Sequence, residues 1–182
     1  MTNETDEKLV QRCLEGEIEA YSHLVNRYQH AVYNAALGIV KDPDEAYDCA
    51  QTAFIKAYEK LDSFNPKFKF FSWLYRITVN TSLDAVGKRQ PSADDSVLEA
   101  ASTDSPSDAF EQKELQEQIG DALMELTLTY RLTIVLRHFA DLTYDEIGYV
   151  LDIPVKTVKS RLFEARRALG KVLTKRGVID HG

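Results

Sequence analysis

Apolar residues recur every three or four positions along most of the chain, and this spacing predicts amphipathic helices. Three such runs precede residue 62, and four more follow residue 112. Between them the pattern predicts a helix from Phe71 to about Ile77, a short loop near Thr78–Asn80, and a further helix containing Leu83. No stretch alternates apolar and polar residues with a period of two, so the sequence predicts no strand. The predicted fold class is all-α.

The stretch LTYDEIGYVLDIPVKTVKSRLFEARRAL, residues 142–169, predicts a helix, a tight turn and a second helix. Thr143 and Glu146 stand three residues apart, as in a capping box at the start of a helix. Asp152 stands where the chain must turn, a position that often requires a left-handed backbone. Pro154 fits the first turn of the second helix, because its missing N–H would have no partner there.

The second helix of this stretch combines an apolar stripe with a basic side. Between Ile153 and Arg176, eight basic residues stand against one acid, whereas the whole chain has a net charge of −7. A basic helix that follows a tight turn is typical of a helix-turn-helix that reads DNA. The alternative is an amphipathic hairpin with a solvated basic face. The side opposite the apolar stripe carries Lys156, Ser160, Phe163 and Arg167, with Lys159 on its flank.

Aromatic residues are concentrated in FNPKFKFFSWLYRITVN, residues 64–80, which we call the aromatic block. Six of the thirteen residues from Phe64 to Arg76 are aromatic, and cations lie among them. Dense aromatic residues usually form core. Rings beside cations also form a platform for unstacked bases, each worth roughly 1–3 kcal/mol. Both interpretations can hold for different rings of the block.

A third pattern is the run Asp42-Pro43-Asp44-Glu45, which predicts a helix start. It supplies a cap, a proline in the first turn, and acids near the positive end of the helix dipole. The helix buries a row of small residues up to Leu61. A solvated surface is the simplest interpretation of its other side, which carries Asp44, Asp48, Gln51, Thr52, Lys56 and Glu59.

The helical pattern stops at residues 89–112, RQPSADDSVLEAASTDSPSDAFEQ, where six acids stand against one base. Such a composition is typical of a flexible linker, because it cannot bury enough apolar surface to fold. The linker predicts two small helical domains, residues 6–88 and 113–176.

Composition excludes several classes of protein. Cys13 and Cys49 lack CxxC spacing and indicate reduced core thiols in a cytoplasmic protein. The four histidines form no ligand spacing, so neither a metal nor a cofactor is expected. No signal-peptide core or membrane-spanning run is present in the sequence. Nucleophile motifs and phosphate-binding loops are also missing, so we expect no enzyme and no small-molecule substrate.

Taken together, these blocks resemble the extracytoplasmic-function (ECF) sigma factors, a two-domain branch of the bacterial primary-sigma family. The resemblance covers nearly the whole chain and follows the order of four segments: DPDEAYDCAQTAF, FFSWLYRITVN, a variable acidic linker, and the helix-turn-helix. It implies an alternative sigma factor that binds core RNA polymerase and directs initiation at specific promoters.

The resemblance also implies partners and residues. Region 2, residues 6–88, would bind the β′ coiled coil through Asp44, Asp48, Gln51 and Phe54. It would recognise and melt the −10 element through Lys56, Phe64, Trp73, Arg76 and Asn80, with a flipped base near Asn80. Region 4, residues 113–176, would dock on the β flap and read the −35 element through Lys156, Thr157, Lys159, Ser160, Phe163 and Arg167. The linker would lie in the active-site and RNA-exit channel, and an anti-sigma factor is the expected regulator.

Some positions depart from the family pattern. The family usually has Ala at Gly148, Gly at Asp152, Gly at Lys156 and Pro at Thr127. We expect the first two departures to loosen the motif slightly and the last to shift a helix start. The competing function is a stand-alone helix-turn-helix regulator that acts without polymerase, which would leave the aromatic block unexplained.

Overall fold

A computed structural model of the protein describes residues 4–88, 115 and 118–179. Every regular element in these ranges is helical, in agreement with the all-α prediction. A 3₁₀ turn, Leu61–Ser63, follows the third helix. The predicted linker, residues 89–112, lies outside the described residues. The helices are α1 (Asp6–Leu14), α2 (Ile18–Val40), α3 (Pro43–Glu59), α4 (Phe70–Lys88), α5 (helical over 118–124), α6 (Leu128–His138), α7 (Tyr144–Leu151) and α8 (Val155–Lys175).

Local signals in the sequence explain where several helices begin and end. The Asp42 side chain accepts a hydrogen bond of 2.8 Å from the backbone N–H of Glu45, and Pro43 is the first residue of α3. Helix α1 ends at Leu14, and Gly16 follows it with φ +98°, a left-handed conformation that glycine adopts readily. Thr127 occupies the N-cap position of α6 without a side-chain cap, and α6 begins directly after it, at Leu128.

The aromatic block differs from the prediction in one important respect. The sequence predicts a loop at Thr78–Asn80, but α4 runs without a break from Phe70 to Lys88. Thr78 is fully buried, and its hydroxyl donates to the carbonyl of Leu74 at 2.9 Å. That bond satisfies the polar side chain inside the helix, so no loop is needed to solvate it. The prediction of a break before Leu83 was therefore wrong.

Three apolar clusters hold the helices together. One joins α1, α2, α3 and α4 around Leu9, Leu24, Phe70 and Leu74. A second joins α5, α6 and α8 around Leu123, Ile134 and Ala165. The third cluster is shared between the two halves of the chain. It contains Ala36, Ile39, Tyr75 and Val79 from α2 and α4 together with Leu136, Ile147, Val150 and Leu162 from α6, α7 and α8.

The shared cluster places α7 directly against α4 and α6 against α2. The N-terminal helices α1–α4 and the C-terminal helices α5–α8 therefore pack on one another in this structure. The residue limits assigned to the two domains stay a prediction. Within the described ranges, no helix is both long enough and apolar enough to cross a bilayer.

Candidate nucleic-acid interface

The helix-turn-helix forms as its sequence predicts. The Thr143 backbone N–H donates to Glu146 Oε2 at 2.8 Å, and the Glu146 N–H donates to Thr143 Oγ1 at 3.2 Å. These two bonds complete the capping box of α7. Asp152 ends α7 in the left-handed conformation, with φ 54° and ψ 48°. Pro154 stands one position earlier than predicted, at the N-cap of α8.

Gly148 permits the tight turn between α7 and α8. Its carbonyl accepts hydrogen bonds from the backbone N–H groups of Asp152 and Ile153, the latter at 3.0 Å. A Cβ atom added to Gly148 would lie 2.9 Å from the carbonyl oxygen of Ile153. The expectation that this glycine loosens the motif was wrong, because the turn uses the space that a side chain would fill.

The second helix, α8, is oriented by its apolar stripe. Val158, Leu162 and Ala165 are buried, so the opposite side faces solvent. Phe163 has 62% of its surface exposed, although it is a large apolar residue. An exposed ring on a basic surface is a candidate for contact with a thymine methyl group. Also exposed are Lys156, Lys159, Ser160 and Arg167, whereas Thr157 is half-buried.

Charges at the far end of α8 have structural partners. Arg176 donates to Glu125 Oε1 at 2.7 Å and to Asp121 Oδ2 at 3.2 Å, and so joins α8 to α5. The basic residues near the start of α8 are therefore better placed to bind phosphates than this one. Lys171, between these two regions, is exposed.

Three of the six rings of the aromatic block, those of Phe70, Trp73 and Tyr75, are buried in the core. Trp73 is 8% exposed, and its ring centroid lies 5.5 Å from that of Phe64 and 5.8 Å from that of Phe70. Phe64, Phe68 and Phe71 are half-buried. The core interpretation is therefore confirmed for three rings, whereas the platform for unstacked bases stays a prediction for the half-buried ones.

Three residues predicted to contact −10 DNA share one side of α4. Trp73, Arg76 and Asn80 follow the i, i+3, i+7 spacing of a helix face. Asn80 is exposed on the surface of the helix. It therefore caps no following helix, and it occupies no loop. Lys56 reaches the same region from α3, because its ammonium donates to Thr81 Oγ1 at 3.2 Å.

Helix α7 lies against the start of α4, and no pattern in the sequence predicts this contact. The Phe68 and Tyr149 rings stack with centroids 4.0 Å apart and planes 13° apart. Arg76 donates to the Tyr149 carbonyl at 3.1 Å, and its guanidinium carbon lies 4.8 Å from the centroid of the Tyr149 ring. Arg76 also pairs with Asp152 at 3.7 Å.

Glu146 belongs to the same contact. Besides capping α7, its Oε1 accepts a hydrogen bond of 3.2 Å from the Ser72 hydroxyl and pairs with the Lys69 ammonium at 3.3 Å. Burial raises the pKa of this carboxyl, but the hydrogen bonds from Thr143 and the charge of Lys69 outweigh burial and lower it. Glu146 is therefore held as the carboxylate at neutral pH.

The predicted polymerase-binding residues lie on α3. Asp44, Asp48 and Gln51 are exposed, whereas Phe54 is only 9% exposed. Phe54 forms part of the wall of two grooves between α2 and α3, with volumes of about 360 and 480 Å³. A partner can therefore contact Phe54 only by inserting a side chain into one of these grooves. The exposed apolar residues beside these grooves are Ile18, Tyr47, Ile55 and Tyr58.

A further apolar groove, of about 410 Å³, lies on the C-terminal helices. Phe139, which follows α6, lines it and is 65% exposed. Sequence reasoning assigned no residue to this groove, because the exposure of Phe139 is seen only in the structure. Its other lining residues are Ile119, Leu123, Ile134, His138, Arg166 and Leu169.

Comparison with known proteins agrees with this architecture. The chain matches two family models, described as Sigma-70 region 2 over residues 24–91 and Sigma-70, region 4 over residues 116–169. The RNA polymerase sigma-H factor of Pseudomonas aeruginosa is 37% identical over 185 residues, covering 95% of this chain and 96% of that protein. The ECF RNA polymerase sigma-E factor of Escherichia coli K12 is 40% identical over 177 residues, covering 91% of this chain and 92% of that protein.

Two solved structures have a similar fold. CnrH, in complex with the cytosolic domain of CnrY, matches with a TM-score of 0.72 at 26% identity, covering 94% of this chain and 99% of that one. The sigma factor RpoE of Bartonella quintana, in complex with the anti-sigma factor NepR, matches with a TM-score of 0.63 at 22% identity. That match covers 85% of this chain and 96% of the RpoE chain, and it concerns the fold alone.

The helical architecture and the two matched regions define a sigma factor with a helix-turn-helix in its C-terminal domain. The chain belongs to the sigma-70 family, in its ECF branch, and is an alternative sigma factor that directs transcription initiation. The resemblance drawn from the sequence is confirmed. The stand-alone regulator is not favoured, because it does not account for region 2.

Proposed function

We propose that this sigma factor reads the −35 element with α8 and opens the −10 element with α4, while α3 binds core RNA polymerase. The observation that carries the first part is the capped helix-turn-helix whose second helix exposes a basic side around Phe163. A helix of this kind fits the major groove, where base edges distinguish all four base pairs.

The −35 contacts divide into two kinds. Ser160 and Arg167 share the exposed side with Phe163 and are the candidates for base edges. Lysines bind phosphates as point charges and carry little sequence information. Lys156, Lys159 and Lys171 are therefore assigned to the DNA backbone. Thr157 is half-buried near the start of α8 and has the shortest reach of the proposed set.

The −10 role rests on the exposed side of α4 and its neighbours. Asn80 offers a donor and an acceptor to a base edge, and Phe64 offers a half-buried ring. Lys56 and Arg76 supply positive charge at the two sides of this surface. Trp73 acts mainly by supporting Phe64, because its own ring is buried. A flipped base would then stack at Phe64 and bond to Asn80.

The polymerase contact is proposed for α3. Asp44, Asp48 and Gln51 provide an acidic and polar ridge beside an apolar groove that contains part of Phe54. An apolar core with a polar rim is the usual anatomy of a protein interface. The β′ coiled coil is the proposed partner of this ridge. The groove beside Phe139 is proposed for the β flap.

Three further assignments rest on the resemblance alone. The linker at residues 89–112 would occupy the RNA-exit channel, where its acids take the place of nascent RNA. An anti-sigma factor would hold the protein inactive by covering its polymerase-binding surfaces. The site of action would be the cytoplasm, where RNA polymerase works.

The polymerase assignment is tested by charge reversal. Asp48→Arg should weaken binding to core RNA polymerase, because it places a cation in the middle of the acidic ridge. Glu7→Arg is the matched control, since it makes the same change at an exposed position of α1. Affinity should be measured with purified components, and the fold should be checked by circular dichroism. Equal affinities for the two variants would remove α3 from the interface.

A further inference from the structure

Helix α8 carries a single acid, Glu164, among eight basic residues between Ile153 and Arg176. Its carboxylate lies on the side of the helix that the proposed function assigns to DNA. We propose that Glu164 is a specificity-determining residue of the −35 contact, which accepts a hydrogen bond from a cytosine amino group in the base pair next to the guanine that Arg167 binds. The proposal rests on the proposed function, because it requires that α8 enter the major groove.

The helical period places Glu164 beside the proposed base-reading residues. Ser160 precedes it by four positions and Arg167 follows it by three, which are the spacings of neighbours on one helix face. Lys171 lies a further turn along, seven positions after Glu164. The buried stripe of α8 lies elsewhere around the helix, and 48% of the Glu164 side chain is exposed. The carboxylate is therefore open to a ligand that approaches this face.

The packing of the C-terminal helices does not require this acid. Among the described residues, the only side chain that pairs with Glu164 is that of Arg167, one turn away on the same helix. Other charges of α8 do connect helices, since Arg176 binds two carboxylates near the end of α5 and Arg166 contacts His138 of α6. An exposed ion pair within one helix adds little to stability. The stability of the fold therefore does not explain an acid on this face.

An acid on this face opposes binding to the DNA backbone. Phosphates carry a dense row of negative charges, and the cations that neutralise them supply most of the affinity for any sequence. A carboxylate lowers this general affinity unless it meets a hydrogen-bond donor. In the major groove the bases offer such donors only at the N4 amino group of cytosine and the N6 amino group of adenine. The acid therefore favours some base pairs over others, which is how a repulsive group adds specificity.

Cytosine fits a carboxylate better than adenine does. The carboxylate has acceptors only, and cytosine presents its N4 amino group to the major groove without an acceptor of its own. Adenine presents N7, an acceptor, beside its N6 amino group. Lone pairs of N7 and of the carboxylate would then face each other, and their contact is repulsive. Cytosine is therefore the base assigned to Glu164.

Arg167 supplies the other half of the recognition. Both oxygens of Glu164 lie 3.5 Å from Nη1 of Arg167, so the pair leaves Nε and Nη2 to donate together to N7 and O6 of a guanine. A contact of 3.5 Å is long for a hydrogen bond, so the carboxylate oxygens are still able to accept from a base. The two residues are offset by about 4.5 Å along the helix axis, which is close to one base step of about 3.4 Å. The two side chains therefore reach adjacent base pairs.

Selection from a promoter library tests this assignment. The probe is a promoter that the wild-type holoenzyme uses, randomised over its −35 element and bound by core polymerase with the full chain. Glu164→Gln keeps the size of the side chain but supplies a donor and an acceptor, the combination that pairs with N6 and N7 of adenine. At one position the wild-type chain should enrich cytosine, and the variant should lower the cytosine-to-adenine ratio about tenfold. Phosphate repulsion or helix stability alone would not change the preferred base.

Glu125→Gln is the matched control. It removes the same charge from the C-terminal helices, and the glutamine oxygen can still accept the hydrogen bond from Arg176. Because Glu125 lies outside α8, this variant should select the same bases as the wild-type chain at every position. Both acids are exposed, so circular dichroism should show wild-type folding for both variants. An equal change of base preference in the two variants would overturn the proposal.

The spacing of the affected base pairs provides a second readout. Arg167→Ala should relax the preference for guanine at one position of the −35 element. That position should be directly next to the one at which Glu164→Gln changes the preferred base. If one or more base pairs separate the two positions, the proposal is overturned.

The proposed function and the role of Glu164 fail in different outcomes. If the wild-type chain enriches no sequence over the −35 element, the proposed reading by α8 is wrong. If it enriches a sequence that Glu164→Gln enriches equally, the proposed function stands and the role of Glu164 is refuted, whether or not the variant binds the whole library more tightly.

Discussion

Gly148→Ala gives a sharp test of the helix-turn-helix geometry, because two physical effects oppose each other there. Alanine is favoured over glycine inside a helix by about 1 kcal/mol. The family pattern, in which alanine is usual at this position, would lead one to expect a gain in stability. In this chain, however, the new Cβ would lie 2.9 Å from the Ile153 carbonyl oxygen. That oxygen belongs to the backbone of the turn and cannot rotate away.

The size of the destabilisation follows from the part of the backbone that must move. Relieving the contact shifts the turn and strains the bonds from the Asp152 and Ile153 N–H groups to the Gly148 carbonyl. Overpacking of this kind costs about 1–3 kcal/mol, and each weakened hydrogen bond costs about 0.5–1.5 kcal/mol. After the gain in helix propensity, Gly148→Ala should lower the free energy of unfolding by about 1–2 kcal/mol. The midpoint of thermal unfolding should fall by about 3–6 °C.

The assay is urea and thermal unfolding of the full chain, with Gly170→Ala as the matched control. Gly170 lies in α8, and a Cβ atom there meets no atom within 4 Å. Its replacement should stabilise the chain by up to about 1 kcal/mol. Opposite signs for the two substitutions are expected. If Gly148→Ala stabilises the protein as much as Gly170→Ala does, the close approach at the turn is refuted.

Three further predictions concern single side chains. The pKa of Glu146 is lowered in the folded chain, so its contribution to stability is complete above the unfolded value of roughly 4.3 and is lost as pH falls through the folded value. In unfolding measured as a function of pH, Glu146→Gln should therefore reduce the loss of unfolding free energy at acid pH. An unchanged loss would contradict the role given to the Glu146 carboxylate. Asn80→Ala should retain its melting temperature and its polymerase affinity but form open complex poorly on duplex promoter. A promoter with a pre-melted bubble should restore part of the activity. If the bubble restores none, Asn80 does not belong to the surface that melts the −10 element. Arg167→Ala should relax the base preference at one −35 position, at a cost of roughly 1–3 kcal/mol in binding. Lys171→Ala should weaken binding to all promoters alike and flatten its salt dependence. A promoter library that shows uniform losses for both variants would refute the division into base and phosphate contacts.

Local chemistry explains what could be predicted from the sequence. The caps at Asp42 and Thr143 and the left-handed Asp152 depend on residues within a few positions of one another. The orientation of α8 follows from the spacing of its apolar residues. These features require no knowledge of distant parts of the chain, and the structure confirms them.

Tertiary packing accounts for what could not be predicted. The sequence TVNTS at residues 78–82 has the polar and β-branched composition of a loop, yet burial of Thr78, Val79 and Ser82 keeps it helical. The pairing of Ser72 with Glu146 joins residues 74 positions apart, and neither residue carries a signal of the other. The hydrogen bond from Arg76 to the Tyr149 carbonyl could likewise be seen only in the structure.

The central claim is that the chain confers promoter-specific initiation on core RNA polymerase. The most direct measurement is transcription of a fragmented genomic library by core polymerase with and without the purified chain, followed by sequencing of RNA 5′ ends. The account predicts new, discrete start sites that share −35 and −10 sequences, appear only when chain and polymerase are both present, and are reduced by Asp48→Arg but not by Glu7→Arg. Identical start sites with and without the chain would contradict it.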